Sequence, residues 1–357
     1  MTLLYAVLFG ARLLLALRHA GRPPAPPSMV PAAVLQPILS GDPALSATLA
    51  ANAEALARDH LYWLVDDDDP AGQDAATQAA RANVTIFTGP GPRDGENPKA
   101  AKLARILPQI TEEITVVLDD DTRIDSARLA QLKGELAHAA LVTGLPVFTS
   151  RATAYERFIG GFVNGNAALT YLPAAATGSQ HTINGMIYAV RTAELRSLGG
   201  FDAIRGQLTD DYAVAQLYER NGLRPYQTPI PAHVGMTVGS AAHCARVLRR
   251  WFVFANRYMS HNASPAVLVL IALPAFLPPL GLWFGPKWLL VLFAKAVLHQ
   301  MATARITGLS PTPGSLLFEV LADLFSPLFY LSSLIRPARI TWRSRRIAMD
   351  GDRIRYQ

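Results

Sequence analysis

Two short clusters of aspartate each follow an apolar segment of the chain. Asp66–Asp69 comes directly after Tyr62–Val65, and Asp119–Asp121 comes directly after Ile114–Leu118. Carboxylates that crowd together repel one another unless a cation compensates them. Mg²⁺ and Mn²⁺ accept such oxygen ligands and leave coordination positions open for phosphate oxygens. The spacing therefore predicts a divalent-metal site, although each cluster could also be a solvated loop whose aspartates cap helices.

A third acidic position lies at Asp210 and Asp211, ahead of a helical stretch that begins near Ala213. Asp210 could be an ordinary helix N-cap. Asp211 could serve as a general base that accepts the proton of an acceptor hydroxyl.

Basic groups at two places could meet phosphate. The Arg246–Trp251 segment holds arginines that could clamp a diphosphate, or it could be a basic amphipathic helix on anionic lipid. Lys99 follows Asn97 and Pro98 at a predicted loop-to-helix junction, where it could approach a phosphate or remain an ordinary surface lysine.

Between about residues 30 and 260, short β-rich segments alternate with alanine-rich segments typical of helices. This alternation predicts an α/β fold with a mostly parallel sheet, whose strand ends would bring the two aspartate clusters into one crevice. The predicted strands are Ala32–Leu35, Tyr62–Val65, Val84–Phe87 and Ile114–Leu118. The predicted helices are Pro43–Arg58, Asp74–Asn83, Pro98–Leu107 and Ser126–Ala139.

Composition narrows the protein class. Half of the 357 residues are hydrophobic and 17% are charged, which excludes disordered and collagen-like chains. Cys244 is the sole cysteine, so an intrachain disulfide and a multi-cysteine zinc site are excluded. The net charge of +6 would suit nucleic acid, anionic lipid or phosphorylated substrates. Because the arginines cluster beside apolar segments, we expect a membrane and no nucleic acid as partner.

Three apolar segments follow residue 264. Pro265–Pro286 meets the length of about 20 residues that a membrane-spanning helix needs, and Trp288–Met301 is marginal. Leu316–Ile335 is long enough but carries two acidic residues. The alternative is a set of buried helices in a soluble all-α domain.

The amino-terminal segment Leu3–Leu17 is apolar but short, and we interpret it as an anchor or interfacial helix rather than a signal peptide. Basic residues after it, and the arginines of the tail 336–357, predict a cytoplasmic side for both. Three crossings between a cytoplasmic domain and a cytoplasmic tail are inconsistent, so one of the three later segments is expected not to cross. Either the proline-broken Pro265–Pro286 or Leu316–Ile335, with its two acidic residues, could lie in the interface or re-enter.

These features predict five parts of the chain. They are an amino-terminal anchor (1–20), a proline-rich linker (21–31), a catalytic α/β domain (32–262), membrane segments (263–335) and a basic cytoplasmic tail (336–357).

The chain resembles the inverting, membrane-bound GT-A glycosyltransferases of the ceramide glucosyltransferase type (families 2 and 21), including bacterial hopanoid-associated relatives. Short motifs carry this resemblance in the family's order over nearly the whole chain. They are Gln36–Asp42, Asp66–Pro70, Asn97–Lys99, Asp119–Thr122, Thr209–Tyr212, Leu248–Trp251 and Thr341–Arg343.

The resemblance implies a UDP-sugar donor, a lipid acceptor such as ceramide or another lipid alcohol, and Mg²⁺ or Mn²⁺ as cofactor. It implies that Asp69, or alternatively Asp66, helps to hold the uridine nucleotide. It implies that Asp119 and Asp121 carry the metal on the diphosphate and that Asp211 is the catalytic base.

The last family motif implies donor-binding roles for Arg249, Arg250 and Trp251, with Lys99 near a phosphate. Val247 departs from the family pattern, which has Gln or Arg three positions before Arg250.

We therefore expect a UDP-sugar-dependent lipid glycosyltransferase in the inner membrane, with several spans and a cytoplasmic catalytic domain. The alternatives are a processive polysaccharide synthase of the same fold and a catalytically silent, membrane-anchored binder of sugar nucleotides.

Overall fold

A sheet of eight strands with helices on both faces forms the centre of the described structure. The computed structural model describes the chain except residues 263, 336–338, 343–344, 351–352 and 357. The strands run in the order β3-β2-β1-β4-β7-β6-β8-β5. They are β1 (Ala32–Pro37), β2 (His60–Asp66), β3 (Val84–Gly89), β4 (Ile114–Leu118), β5 (Thr122–Arg123), β6 (Leu141–Phe148), β7 (Ile187–Arg191) and β8 (Pro225–Val234).

The first four strands of that order are parallel to one another, and so is the β6–β8 pair. Strand β7 runs antiparallel to both β4 and β6, and β5 runs antiparallel to β8. The prediction of an α/β fold with a mostly parallel sheet is confirmed.

Helices cover the sheet because its strands are apolar on both sides. Along β1, Ala32 and Val34 face one core while Ala33 and Leu35 face the other. The helices are α1 (Thr2–Ala20), α2 (Leu45–Ala55), α3 (Pro70–Ala79), α4 (Pro98–Ile106), α5 (Ser126–Gly134), α6 (Ala154–Ala176), α7 (Thr192–Ser197), α8 (Asp210–Arg220), α9 (Ala241–Asn262), α10 (Pro265–Val267), α11 (Leu273–Gly281), α12 (Trp288–Thr307) and α13 (Pro313–Ile335).

Helix α3 begins four residues earlier than the expected start at Asp74. Asp69 caps it by accepting a hydrogen bond from Gly72 N at 3.1 Å, and Pro70 fits the first helical turn, where no backbone donor is needed.

The apolar segment Pro265–Pro286, which is long enough for one spanning helix but contains prolines, is not a single regular helix. It is divided into α10, a π-helical turn at Leu268–Ala272, α11 and a short 3₁₀ turn. Prolines inside α11 remove backbone donors, which disfavours a long regular helix. Which of the three segments crosses a membrane stays a prediction.

Three helices in the described residues are long and apolar enough to span a membrane: Thr2–Ala20, Trp288–Thr307 and Pro313–Leu334. Helix α1 extends beyond the apolar segment that sequence indicated, and Arg12 inside it donates to Leu169 O of α6 at 2.8 Å. The acidic residues of α13 are also accommodated, because Lys295 of α12 bonds Glu319 and Asp323 at 2.8 Å each.

The apolar helices pack directly on the α/β part through α6. A Cβ added at Gly161 would lie 2.3 Å from Phe318 O of α13, so only glycine permits this approach of the two helices.

The carboxyl-terminal tail forms a three-stranded antiparallel sheet of β9 (Arg339–Trp342), β10 (Arg345–Asp350) and β11 (Arg353–Tyr356). It lies against the loop before α4, where Gly95 N donates to Ile354 O at 2.7 Å. The tail therefore lies on the same side of any membrane as the α/β part. Arg336 and Arg343, which contributed to the predicted basic tail and its family motif, are outside the described residues.

Candidate active site

The two aspartate clusters lie at the carboxyl ends of β2 and β4, with β1 between these strands. The loop after β1 connects them. Leu39 N donates to Asp120 Oδ2, and Ser40 N donates to Asp69 Oδ2, each at 2.9 Å. The sequence-based expectation that both clusters reach one edge of the sheet agrees with this geometry.

Within the second cluster the three aspartates have different surroundings. Asp120 is buried and its carboxylate holds the β1 loop. Asp119 and Asp121 are partly exposed, and Asp121 Oδ1 accepts from Thr122 Oγ1 at 3.1 Å. The alternation leaves the two predicted metal ligands, and not Asp120, at the open edge.

In the first cluster, the carboxylates of Asp66 and Asp69 are bonded to other residues of the protein. Asp66 is fully buried, and its Oδ2 lies 3.0 Å from Lys102 Nζ. Burial would raise the pKa of Asp69, but hydrogen bonds from Ser40 and Gly72 hold it below its usual value. Asp69 is therefore ionised at neutral pH and fixes the start of α3 against the β1 loop.

Lys99 joins the acidic groups from separate parts of the chain. Its Nζ lies 2.6 Å from Asp119 Oδ1 and 3.0 Å from Asp210 Oδ2, and it donates to Gly185 O at 2.7 Å. Burial alone would lower the pKa of Lys99, but Asp119 and Asp210 raise it well above its usual value. Burial also raises the pKa of Asp119, against the lowering effect of Lys99. Lys99 is therefore protonated at neutral pH, and its positive charge compensates the carboxylates around it.

Asn97 fixes the position of Lys99. Its Oδ1 accepts from Lys99 N at 2.9 Å and from Ala100 N at 3.0 Å, which caps α4. Its Nδ2 donates to Leu208 O at 2.8 Å, just before α8. One side chain thus aligns the two helix starts that carry Lys99 and Asp211.

Asp211 lies in the first turn of α8, beside this ion-pair group. Burial raises the pKa of Asp211 to about 7, and the neighbouring Asp210 carboxylate adds to the increase. A Cβ added at Gly185 would lie 3.3 Å from Asp211 Cβ and 3.5 Å from Lys99 Nζ, so the backbone of this residue is close to both groups. A carboxyl with this pKa exchanges protons readily at neutral pH, as a general base must.

The predicted Arg249, Arg250 and Trp251 lie on α9, all partly exposed. Trp251 stacks on Phe162 of α6, with ring centroids 6.2 Å apart. The carboxyl-terminal half of α9 approaches Asp211, because Tyr258 packs edge-on against the neighbouring Tyr212 with ring centroids 6.0 Å apart.

The sequence model of the family described as Glycosyl transferase family 21 matches residues 1–354. The chain belongs to this family. It is therefore a glycosyltransferase with a GT-A fold, which confirms the resemblance drawn from the motifs. A search of curated proteins found no match.

Solved structures similar to this family 21 enzyme are distant. A mannosyltransferase from Pyrobaculum calidifontis in complex with GDP-Man and Mn²⁺ is 18% identical, with 92% of this chain and 96% of that chain covered and a TM-score of 0.49. Glucosyl-3-phosphoglycerate synthase from Mycobacterium tuberculosis, in complex with Mn²⁺ and UDP, is 16% identical, with coverage of 66% and 81% and a TM-score of 0.38.

A divalent metal of the kind that the resemblance implies fits the donors of the glycosyltransferase. In the described residues no three His, Cys, Asp or Glu side chains form a ready-made metal site. Asp119 and Asp121 offer two carboxylates at the open edge, and Mg²⁺ typically takes one or two carboxylates together with substrate phosphates. The donor set therefore suits a metal that binds with its nucleotide.

Sequence reasoning missed three partners in the site of this enzyme. Lys102 follows Lys99 by three positions, and this helical spacing could have signalled a second inward-facing lysine. Asp210, weighed only as a helix cap, is an ion-pair partner of Lys99. Gly185 carries no signal in the sequence, because its role comes from a close backbone approach.

Proposed function

We propose that this family 21 glycosyltransferase moves a sugar from a UDP-sugar to the hydroxyl of a membrane lipid, with inversion, as a ceramide glucosyltransferase-like enzyme. The observation that carries the proposal is the grouping of Asp211, with a pKa of about 7, beside the Lys99–Asp119 ion pair at the edge of the sheet.

In this proposal Asp211 takes the proton of the acceptor hydroxyl as its oxygen attacks the anomeric carbon. The bond from that carbon to the diphosphate oxygen breaks on the opposite face, and UDP leaves. Lys99 keeps the carboxylates compensated, and Gly185 leaves room beside the base.

Asp119 and Asp121 would hold Mg²⁺ or Mn²⁺, which when bound neutralises charge on the diphosphate. Arg249 and Arg250 would add positive charge near the same diphosphate, beside Trp251. Asp69 and Asp66 would shape the uridine pocket through the β1 loop and Lys102, which they bond.

A lipid acceptor is favoured by a cavity of about 130 Å³ between the α/β part and the apolar helices. Its lining is mostly apolar and includes Phe162 of α6, Ala255 and Met259 of α9, and Phe276 of α11. Tyr258, on the same helix as Ala255 and Met259, packs on Tyr212 next to Asp211. A lipid tail in this cavity would thus lie close to the base.

The topology that suits this function has the α/β part and the tail in the cytoplasm at the inner membrane. Both ends of α13 would lie on the side of the catalytic part, because the α12–α13 connection lines one cavity with Arg151 and the tail sheet contacts Gly95. Helix α13 would therefore lie in the membrane interface rather than cross the bilayer. The arginines of the tail agree with a cytoplasmic side.

The test is UDP release by the full-length protein in detergent with Mn²⁺ or Mg²⁺, across a panel of UDP-sugars. Each donor is assayed with and without ceramide and diacylglycerol, beside an Asp211→Asn variant. Lipid-dependent release that disappears in the variant supports the proposal and identifies the donor and the acceptor. Metal-dependent UDP binding without turnover favours the silent binder, and no UDP binding contradicts the proposal.

A further inference from the structure

A second, larger cavity of about 270 Å³ lies between the start of α6, the last turns of α12 and the first turn of α13. Several polar side chains contribute to its lining, including those of Asn164, Gln300, Thr303, Thr312 and Ser315. The proposed sugar transfer uses none of these groups, so the cavity needs a separate explanation.

Two arginines form one rim of this cavity. Arg151 and Arg157 are exposed, and Arg157 Nε donates to the backbone carbonyl of Arg151 at 2.9 Å, which holds the Arg157 side chain beside Arg151. Neither guanidinium has a carboxylate within ion-pair distance in the part of the chain that the structure describes. Two guanidinium groups on the rim of one cavity suit a phosphate.

His299 lines the inner part of the cavity and carries a buried nitrogen that lacks a partner. Its side chain is 2% exposed, and its Nδ1 lies 3.0 Å from Glu319 Oε1. Its Nε2 has no hydrogen-bond partner among the described residues. Because Nδ1 is bonded to the Glu319 carboxylate, Nε2 is the ring nitrogen left to bond a hydroxyl, which can donate or accept. A buried polar atom of this kind points to an absent ligand or water.

Glu319, the acidic residue that lines the cavity, repels a bound anion less strongly than an unpaired carboxylate would. Glu319 Oε1 is bonded to Lys295 Nζ at 2.8 Å, and Oε2 accepts from Gln300 Nε2 at 2.9 Å. The carboxylate is therefore compensated from within the helix pair, whereas the arginines of the rim remain uncompensated by the described acids.

The position of the cavity favours a lipid as its ligand. It opens where α12 ends at Thr307 and α13 begins at Pro313, beside the α/β part, which is the level of the lipid headgroups on that side if α12 spans the bilayer. Leu298, Met301 and Leu317 are exposed apolar side chains on the same two helices, next to residues that line the cavity. A ligand here meets cationic and hydroxyl groups at one end and an apolar helix surface beside them.

We propose that this cavity binds an anionic glycerophospholipid, with its phosphate between Arg151 and Arg157 and a headgroup hydroxyl at His299 Nε2. The proposal rests on the membrane location proposed above, and it does not depend on sugar transfer. A phosphatidylglycerol headgroup, which has both a phosphate and free hydroxyls, matches this chemistry.

The experiment measures binding of fluorescent phosphatidylglycerol and phosphatidylcholine to the full-length protein in neutral detergent, without donor or acceptor. The variant Arg151→Gln/Arg157→Gln is compared with Arg18→Gln/Arg305→Gln. The control pair removes two exposed arginines near the ends of α1 and α12 that do not line the cavity.

Each basic residue near an anionic lipid contributes about 1 kcal/mol, so loss of both rim arginines should weaken phosphatidylglycerol binding about thirtyfold. The control pair should change binding by less than about threefold, because its arginines lie outside the cavity. Phosphatidylcholine should bind weakly to all forms. Equal losses in the two variant pairs would reduce the effect to general surface charge and overturn the proposal.

A second variant keeps both arginines. A Cβ at Gly314 would meet nothing nearer than Thr312 Oγ1 at 4.0 Å, so Gly314→Phe can enter the cavity without a clash at its Cβ. It should abolish selective phosphatidylglycerol binding while thermal unfolding stays close to that of the wild type. Unchanged lipid binding in this variant contradicts the site.

Inorganic phosphate separates a lipid site from a free-phosphate site. For a lipid site, phosphate should compete only weakly with phosphatidylglycerol, because it lacks the acyl chains that contact α12 and α13. Displacement of the lipid by phosphate at equal concentration would overturn the lipid assignment. Lipid binding is measured without UDP-sugar. Its result therefore does not depend on whether the transfer assay succeeds or fails.

Discussion

Lys99 is the group whose loss should affect the site most specifically. Its ammonium compensates Asp119 and Asp210 at 2.6 and 3.0 Å, and its side chain is 7% exposed. Lys99→Met would leave these carboxylates and Asp211 together without that cation. Removing one partner of a buried ion pair costs about 3–5 kcal/mol. Because the Asp119 side chain is 31% exposed and partly hydrated, we expect the lower end, about 3 kcal/mol.

The assay is thermal unfolding of the detergent-solubilised protein in EDTA and in excess Mn²⁺. Lys99→Met should lower the Tm by several degrees in EDTA. Mn²⁺ should restore much of this loss, because a cation bound at Asp119 and Asp121 supplies the missing positive charge. The wild type should gain less from Mn²⁺, since Lys99 already compensates its carboxylates.

A matched control is the remote buried pair Lys133–Asp59, whose atoms lie 2.7 Å apart and whose side chains are 4% and 5% exposed. Lys133→Met should destabilise the protein to a similar degree, and Mn²⁺ should not restore it. If Mn²⁺ rescues both variants equally, or rescues neither, the reasoning that Lys99 substitutes for a cation at the metal site is refuted.

Three further changes test the site and its support. The transfer rate should increase with pH through about 7, because Asp211 acts as a base only when it is ionised. Mn²⁺ should lower the midpoint of this increase, because the cation favours the carboxylate form. An initial rate that does not change with pH contradicts the assignment of Asp211 as the base. Gly161→Ala should lower the free energy of unfolding by about 1–3 kcal/mol, because the added Cβ would overlap a carbonyl oxygen of α13. Gly10→Ala should be tolerated, because nothing lies within 4 Å of the added Cβ. Equal effects of the two substitutions on thermal unfolding contradict the close packing. Asn97→Ala should lower the free energy of unfolding by about 1–2 kcal/mol and also reduce turnover. Asp125→Ala, which removes the cap of α5, should affect stability alone. Full turnover in Asn97→Ala contradicts the role of Asn97 in aligning the two helix starts.

Local patterns in the sequence were sufficient for the fold class and for the position of the acidic clusters. The strands before Asp66 and Asp119 are marked by continuous apolar residues, and the order of parallel strands brings their ends together. The motifs also identified the family, which the match over residues 1–354 confirms. The roles of Asp66, Asp69, Lys99, Asp119, Asp121, Asp211, Arg249, Arg250 and Trp251 in donor binding, metal binding and catalysis stay predictions.

Long-range contacts account for what the sequence did not indicate. Lys99 looked like a surface lysine because its partner Asp210 is 111 positions away and is brought close only by the folded chain. The packing of α6 on α13 depends on Gly161, and helical periodicity does not identify which helix will approach it. The prolines of Pro265–Pro286 indicated an interrupted helix, but its position at the π-helical turn Leu268–Ala272 could not be read from hydropathy.

The most direct test of the central claim is the anomeric configuration of the glycolipid made by the wild type, measured beside product formation by Asp211→Asn. An inverting displacement gives a product with the configuration opposite to that of the donor sugar. Asp211→Asn should bind UDP and Mn²⁺ as the wild type does but form no product. Retained configuration, or undiminished transfer by Asp211→Asn, would contradict the assignment of Asp211 as the base of an inverting lipid glycosyltransferase.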